Sequence, residues 1–284
     1  MKWNKMLALF MISLLFIMPI QAFADMAEGD VIVTLGENLS EEQKNMLLAE
    51  MKAPKDAAII TVSNEEEHKY LGNYISKALI GTRAISSSAV TIAKQGSGLE
   101  VETKNINWVT DEMYINALIT AGVKDAKIYI TAPANVSGTA ALTGIIKAYE
   151  ISAEKTIPEE VKQAANEEMV ETAKLGDSVG NENAAALIAK IKEEIAKNSP
   201  ETDAELRTII ENAAKELGIT LTEQEILSLI DLFNKLKELD IDWNQVGEQL
   251  NQAKDKISEE GQGFLESLKR FFVSVIDAVK AFFS

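Results

Sequence analysis

The sequence contains no cysteine, and this absence excludes several kinds of structure and site. No disulfide can form, so a hydrophobic core has to hold the fold together, and a chain of 284 residues is long enough to build one. Metal sites with thiolate ligands are excluded for the same reason. A lipoprotein-type lipid anchor is excluded as well, because no cysteine follows the N-terminal apolar run.

A single histidine, His68, limits the catalytic and metal-binding chemistry that the chain can offer. It lies among Glu65, Glu66, Glu67 and Lys69 without a second imidazole, whereas nitrogen-ligated metal sites need several such ligands. A Ser-His-Asp mechanism would have to use His68, and no G-x-S-x-G nucleophile motif accompanies it. We therefore predict a solvated, dispensable surface histidine, and we assign no metal, no cofactor and no catalytic residue.

Basic residues are outnumbered by acidic ones, 28 to 44, which gives a formal net charge of −16 at pH 7. The basic residues Lys2 and Lys5 lie in a leader that has no acid, so the rest of the chain is more acidic still. Nucleic acids favour clusters of lysine and arginine, because these neutralise the phosphate backbone. We therefore exclude nucleic acid as a partner, and the charge favours solubility outside the cell.

Residues 1–24 have the pattern of a signal peptide. A basic start precedes an apolar run over residues 6–17, and Ala22-Phe23-Ala24 is a small-x-small cleavage motif. The apolar run is too short for a comfortable membrane span, and an uncleaved N-terminal anchor is the alternative. We predict a secreted protein, associated with the cell envelope, that is cleaved between Ala24 and Asp25.

Residues 25–152 are predicted to form an α/β domain with a mixed sheet and helices. Strand and helix patterns alternate from Val31 onward, and a capping box at Ser40 begins the first helix. Between residues 84 and 106, two runs alternate at period two on either side of Gln95-Gly96-Ser97-Gly98, a pattern typical of a β-hairpin. The predicted order of elements is β-α-β-α-β-β-α-β-α.

The stretch 105–150 contains a helix, a strand and a second helix, and it carries the candidate ligand site. Thr110 is a candidate cap for the first helix, and residues 126–131 form a β-branched and aromatic run typical of a buried strand. Polar groups between such a strand and the next helix can form an anion or ligand site. The candidates are Asn135, Ser137, Gly138 and Thr139, but we favour the alternative, which is ordinary helix capping together with close helix packing.

Arg83, which precedes the first of the two alternating runs, is a further candidate ligand-binding residue. Its guanidinium can bind a carboxylate or a phosphate with two hydrogen bonds. The alternative is an ion pair with an acid of the same domain. We favour this internal pair, because the chain is so acidic.

The chain resembles a secreted bacterial family known as domain of unknown function 1002, the YpuA-like proteins. The resemblance is carried by the stretch NINWVTDEMYINALITAGVKDAKIYITAPANVSGTAALTGIIKAYE, and by the earlier segments VIVTLGENLSEEQKNML and GTRAISSSAVTI. It extends over residues 28–260. It implies export, and it transfers no activity, cofactor or catalytic residue, because none is established for the family.

Residues 153–260 carry apolar residues at helical spacing, and the short turns between them predict an all-α helical bundle after the α/β domain. Capping boxes begin at Thr156 and Thr222. Asp240-Ile241-Asp242 lacks the glycine and the distal glutamate of a calcium loop, so we interpret it as a helix cap. Di-metal sites of helical bundles use histidine, and none follows His68.

The spacing of apolar and charged residues over 261–284 predicts an amphipathic C-terminal helix. Its apolar face is assigned to contact with a membrane or a partner, and consists of Phe264, Leu268, Phe271, Phe272, Val275, Val279 and Phe282. Such a helix can lie in a membrane interface or cover the open side of a bundle. Anionic lipid repels an acidic body, so we favour packing against the protein's own core or a second copy over peripheral membrane contact.

Two functional hypotheses remain. The first is an exported cell-envelope protein without enzymatic activity that binds an envelope component or a protein partner. The alternative is a secreted, carboxylate-dependent hydrolase of a cell-wall polymer, which needs two carboxylates in one cleft. Trp108 and Trp243 are the only tryptophans after the leader, and we interpret both as core residues rather than sugar platforms. The scarcity of aromatic residues favours the first hypothesis.

The leader generates a direct prediction. We expect signal peptidase to remove residues 1–24, because the small side chains of Ala22 and Ala24 fit the cleavage motif. Mass spectrometry of the protein from its native host should give a chain that begins at Asp25. A full-length chain retained in the membrane fraction would contradict cleavage and favour the uncleaved anchor.

Overall fold

The structure, a computed structural model, describes residues 27–260 of the chain. The predicted signal peptide and the predicted C-terminal helix both lie outside the described residues. Within the described part, the first half is a mixed sheet with helices and the second half is a set of helices. The predicted fold class is therefore confirmed.

In residues 27–260, five strands form one sheet in the order β2-β1-β3-β5-β4. Four strands run in the same direction, because β1 is parallel to β2 and β4 is parallel to β5. The central strand β3 is antiparallel to both of its neighbours. The strand bounds are β1 Val31–Gly36, β2 Ala58–Val62, β3 Ser87–Ile92, β4 Leu99–Ile106 and β5 Ala126–Val136.

The predicted hairpin between β3 and β4 is wrong, because β5 lies between these two strands. Ala126 pairs with Ile92 of β3 on one side and with Leu99 of β4 on the other. The β3–β4 loop passes the start of β5 and is held there by Asp125, whose carbonyl accepts a 2.8 Å hydrogen bond from the amide of Ala93. The apolar strand β5 gains a neighbouring strand on each side at this internal position, whereas a local β3–β4 hairpin would leave it at the edge of the sheet.

Ten helices complete the described part of the chain. Those in the α/β half follow the predicted order, with one additional short helix, α3; they are α1 Glu41–Glu50, α2 Asn64–Leu71, α3 Lys77–Ile80, α4 Asp111–Thr120 and α5 Thr139–Ser152. The second half consists of α6 Glu159–Val179, α7 Asn181–Asn198, α8 Asp203–Glu216, α9 Glu223–Glu238 and α10 Trp243–Glu260.

Most of the predicted helix caps are confirmed. Ser40 and Thr222 form complete capping boxes, and the Thr110 hydroxyl accepts from the third amide of α4. Asp242 caps α10 by accepting from two backbone amides at 3.1 Å. The capping box at Thr156 is wrong, because α6 begins two residues later than predicted, after the N-cap Pro158, without a side-chain cap from the described residues.

The two faces of the sheet are covered unequally. One face packs on the largest hydrophobic cluster, to which Ile32, Val90 and Ile130 of the strands contribute. Helices α4 and α5 supply much of the rest of that cluster, and α6 and α7 extend it into the second half. The other face carries a smaller cluster under α1, centred on Leu47. Because the main core is shared between the halves, the boundary at 152/153 stays a prediction.

A fully buried ion pair ties the helical half to α4. Lys192 of α7 donates to Glu168 of α6 at 3.0 Å, and both side chains are completely inaccessible to solvent. The ammonium also donates to the Thr120 hydroxyl at 2.6 Å and to the Asn116 carbonyl at 2.8 Å. All of its three donors are therefore used, as a buried charge requires.

We predict that Lys192→Ala destabilises the protein by about 3–5 kcal/mol, because it leaves the Glu168 carboxylate buried without a cation. Urea unfolding followed by circular dichroism measures the change. The matched control is Lys197→Ala on the same helix, whose solvent-exposed ammonium pairs with Glu193, a contact that should contribute less than about 1 kcal/mol. Equal effects of the two substitutions would show that the buried pair does not hold the halves together.

Candidate functional site

A cleft of about 610 Å³ opens at the carboxyl ends of the four strands that run in the same direction. Its walls come from the segment after α3, from the ends of β4 and β5, and from the first turn of α5. Ligands of open α/β sheets bind at this edge, and small-molecule sites have volumes of about 300–1,000 Å³. The cleft is therefore the candidate site on position and size.

All five candidate residues predicted from the sequence line this one cleft; they are Arg83, Asn135, Ser137, Gly138 and Thr139. They come from two segments that are about fifty residues apart, and the order of the strands brings them together. Their grouping is a property of the fold, while the binding of a ligand by them stays a prediction.

The first turn of α5 has no side-chain cap, so the expected capping by Asn135 and Ser137 does not occur. Gly138 takes the N-cap position with a φ of 94°. Its carbonyl accepts a short hydrogen bond from the buried hydroxyl of Tyr114, and a Cβ at this position would overlap that hydroxyl. Glycine is thus required by both the backbone angle and the space. Among the described residues, the amides of Thr139 and Ala140 have no hydrogen-bond acceptor, whereas the Ala141 amide donates to the Gly138 carbonyl at 3.1 Å. Thr139 and Ala140 both line the cleft.

Arg83 lies exposed at the rim of the cleft, and the predicted ion pair with an acid of its own domain is wrong. Its guanidinium donates to the carbonyl of Asn38 at 2.9 Å, and it forms no ion pair with any residue in the described part of the chain. The carbonyl fixes one nitrogen of the guanidinium. The positive charge therefore remains available to a ligand.

Glu67 lines the same cleft and was not recognised from the sequence. Only 2% of its surface is exposed, and its Oε2 accepts one hydrogen bond, 3.0 Å from the Asn64 amide nitrogen. No cation pairs with it among the residues described, so burial raises the pKa of Glu67 to about 7. The sequence shows Glu67 only as part of an acidic first helical turn. Its burial depends on packing against the rest of the domain.

His68 is half-buried rather than solvated, which corrects the prediction of a surface histidine. Its Nε2 lies 3.0 Å from the carbonyl of Gly81, at the start of the segment that carries Arg83. Its Nδ1 is buried without a hydrogen-bond partner. The ring therefore positions one wall of the cleft, and the expectation that His68 is dispensable loses its basis in exposure.

A half-buried acid, Asp111, lies at the start of α4. Loss of solvation raises its pKa to about 6, and Thr103 opposes the shift. Burial also raises the pKa of Tyr114, and the negative charges of Asp111 and Glu67 raise it further. Tyr114 therefore stays protonated and holds the Gly138 carbonyl. Asp111 is not among the residues that line the cleft.

Trp108 lines the cleft and is half-buried against the main hydrophobic cluster, so it is only in part a core residue. Trp243 is likewise half-buried, and it packs against both large clusters. In the described part of the chain, no group of three or more acids and histidines is placed to hold a metal ion. None of the helices described there is long and apolar enough to cross a membrane.

Glu67 makes stability depend on pH. Its pKa of about 7 lies above the ordinary value of 4.5, so the folded state binds the proton more tightly than the unfolded state. Its contribution is therefore fully present below pH 4.5 and is lost as the pH rises through 7. We expect Glu67→Gln to raise the free energy of unfolding at pH 8 by about 3 kcal/mol and to change it little at pH 4.

The measurement is urea unfolding at both pH values. Glu65→Gln is the matched control, because Glu65 lies exposed on the same helix and its substitution should have no effect at either pH. If Glu67→Gln leaves the stability at pH 8 unchanged, the carboxylate is solvated and has no special place in the cleft.

Comparisons with known proteins place this architecture in a family. A family model described as a protein of unknown function, DUF1002, matches residues 35–253. The uncharacterized protein YpuA of Bacillus subtilis (strain 168) is 57% identical over 287 residues, which cover 99% of this chain and 98% of YpuA. No solved structure matches the chain. The chain thus belongs to the DUF1002 family.

Proposed function

We propose that this protein is an exported, non-enzymatic binding protein of the cell envelope that holds a ligand with an anionic group in the cleft. The observation that carries the proposal is that a guanidinium without an ion pair and an uncapped helix N-terminus line the same cleft. Arg83 is without an ion pair among the described residues, and the first turn of α5 is uncapped. Both line the same cavity.

The chemistry of these features selects an oxyanion. Free amides at a helix N-terminus point at the ligand, and the helix dipole favours negative charge there. A guanidinium adds two parallel hydrogen bonds to a carboxylate or a phosphate group. The Ser137 and Thr139 hydroxyls, 3.3 Å apart, lie beside the same turn. Trp108 supplies an apolar surface for the body of the ligand.

The net negative charge of the protein does not oppose such a ligand strongly. At physiological ionic strength, charges separated by more than about 8 Å are largely screened from one another. Local groups therefore decide the affinity, and Arg83 is the one cation that lines the cleft in the part of the chain that the structure describes. This balance favours a compact anionic group over an extended polyanion.

A hydrolase that acts through two carboxylates is the second candidate. Glu67, with its raised pKa, has the property of a general acid. Such a mechanism needs a second carboxylate across the same cleft. Glu67 is the single acid among the described residues that line it, since Asp111 lies outside. This composition supports binding over hydrolysis.

Export and envelope location are supported by the leader. Residues 1–24 combine a basic start, a short apolar run and a cleavage motif, and the chain has no cysteine that would call for a reducing compartment. The helix predicted for residues 261–284, which lies outside the described residues, would add an apolar face for an envelope partner or a second copy.

We predict that sulfate, a compact tetrahedral dianion, binds in the cleft and that Arg83→Gln weakens this binding at least about tenfold, because charge-assisted hydrogen bonds are lost. Fluorescence of Trp108 is the measurement. The substitution Trp243→Phe makes Trp108 the only tryptophan after the leader, so its emission reports on the cleft. The titrations use mature protein near pH 6 and constant ionic strength set with chloride.

The control is Lys55→Gln, which removes the same charge from an exposed position before β2, at the opposite edge of the sheet. It should bind sulfate like the parent protein. Equal sulfate affinities of the Arg83 variant and the parent would show that Arg83 does not bind the anion. Cleavage of cell-wall polymer by the purified protein, abolished by Glu67→Gln, would instead favour the hydrolase.

A further inference from the structure

Glu67 is a carboxylate in a cleft whose other groups attract anions. Arg83, the Thr139 amide and the Ser137 hydroxyl all favour negative charge in the cavity, while an ionised Glu67 would repel it. Protonated Glu67 behaves in the opposite way, because a carboxylic acid donates a hydrogen bond to an oxyanion. The charge state of one side chain therefore decides whether the cleft is suited to its ligand.

The position of Glu67 is built by the structure. The Ser63 capping box, in which Glu66 takes part, fixes the first turn of α2. Asn64 donates to Oε2 of Glu67, and Oε1 has no hydrogen bond from any residue of the described chain. The side chain is 98% buried yet lines the cleft. Its free oxygen is thus the atom that a ligand in the cavity can meet.

The charged groups on the packed elements are occupied elsewhere. Lys147 of α5 pairs with Glu66 at 2.6 Å. Lys162 of α6 pairs with Glu150 and Glu159 at 2.9 and 3.1 Å.

The remaining titratable neighbours are likewise unable to neutralise Glu67. Asp111 and Tyr114 of α4 contribute negative charge or none. On α2 itself, Lys69 pairs with Glu159, and Nε2 of His68 meets the Gly81 carbonyl. Arg83, which shares the cleft, and Lys77 of α3 form no ion pair with Glu67 in the part of the chain that the structure describes. Neutralisation of Glu67 is thus left to a proton, and its pKa of about 7 puts this proton within reach of ordinary pH.

We infer that the cleft binds its oxyanion together with one proton, and that Glu67 carries this proton and donates it as a hydrogen bond to the ligand. The inference rests on the proposed function, and it specifies the protonation state of the cleft that binds the ligand. The ligand class is a carboxylate or phosphate group that is fully ionised and offers an acceptor oxygen to Glu67. Binding is favoured at mildly acidic pH and weakens as the pH rises.

The experiment measures the sulfate affinity of the Trp243→Phe protein from pH 5.5 to 8.5 by Trp108 fluorescence. Sulfate stays a dianion throughout this range, so any pH dependence belongs to the protein. We expect a nearly constant dissociation constant below about pH 7 and an increase of about tenfold per pH unit above it, because each binding event then takes up one proton. Calorimetry at pH 8 in two buffers of different ionisation enthalpy measures this uptake, because the difference between the two binding enthalpies gives the number of protons bound with sulfate.

The substitution Glu67→Gln keeps a hydrogen-bond donor and removes the titration. It should bind sulfate with the same affinity at pH 5.5 and at pH 8.5, and circular dichroism verifies its fold. The matched control Glu65→Gln on the same helix should keep the pH dependence of the parent.

The outcomes separate this inference from the proposed function. Sulfate binding that is independent of pH in the parent protein overturns the proton coupling and leaves the anion site standing. A Glu67→Gln variant that keeps the parent's pH dependence overturns the role of Glu67. No sulfate binding at pH 5.5 overturns the anion site itself, and the coupling with it.

Discussion

The buried pair of Lys192 and Glu168 is the interaction on which the arrangement of the two halves depends. Both charges are wholly removed from water, which is costly unless each is paired and hydrogen-bonded. The Thr120 hydroxyl and the Asn116 carbonyl accept the other two hydrogen bonds of the Lys192 ammonium, and both belong to α4 of the α/β half. A different docking of the helices would leave the Lys192 ammonium without two of its three acceptors, because the Thr120 hydroxyl and the Asn116 carbonyl come from α4.

Helix α4 links this pair to the candidate site. Its last turn carries Thr120 at the ion pair, and its first turn carries Tyr114, which holds the Gly138 carbonyl under the cleft. The rigid helix therefore relates the docking of the second half to the first turn of α5. Glu67, which is buried, and Asp111, which is half-buried, lie nearby without a cation among the described residues. Acids with raised pKa values of this kind concentrate at functional sites.

Local patterns predicted much of the fold, because caps and periodic apolar faces depend on neighbouring residues alone. Ser40, Thr110 and Thr222 cap the helices that they were expected to cap. The hairpin failed because β5, more than twenty residues further along, offered β3 a better partner. Among the site residues, the strand-to-helix rule found Ser137 and Thr139, since that rule too is local.

By itself, the sequence determined the family, the α/β-then-helical order, the expectation of export and the segments that carry the candidate ligand groups. The tertiary structure decided which of these groups meet. The order of the strands brought Arg83 to the first turn of α5 without an ion pair. It also buried Glu67 and half-buried His68, both of which look solvated in an acidic helical turn. Burial and pairing are long-range properties, and the pKa of a carboxyl group follows from them.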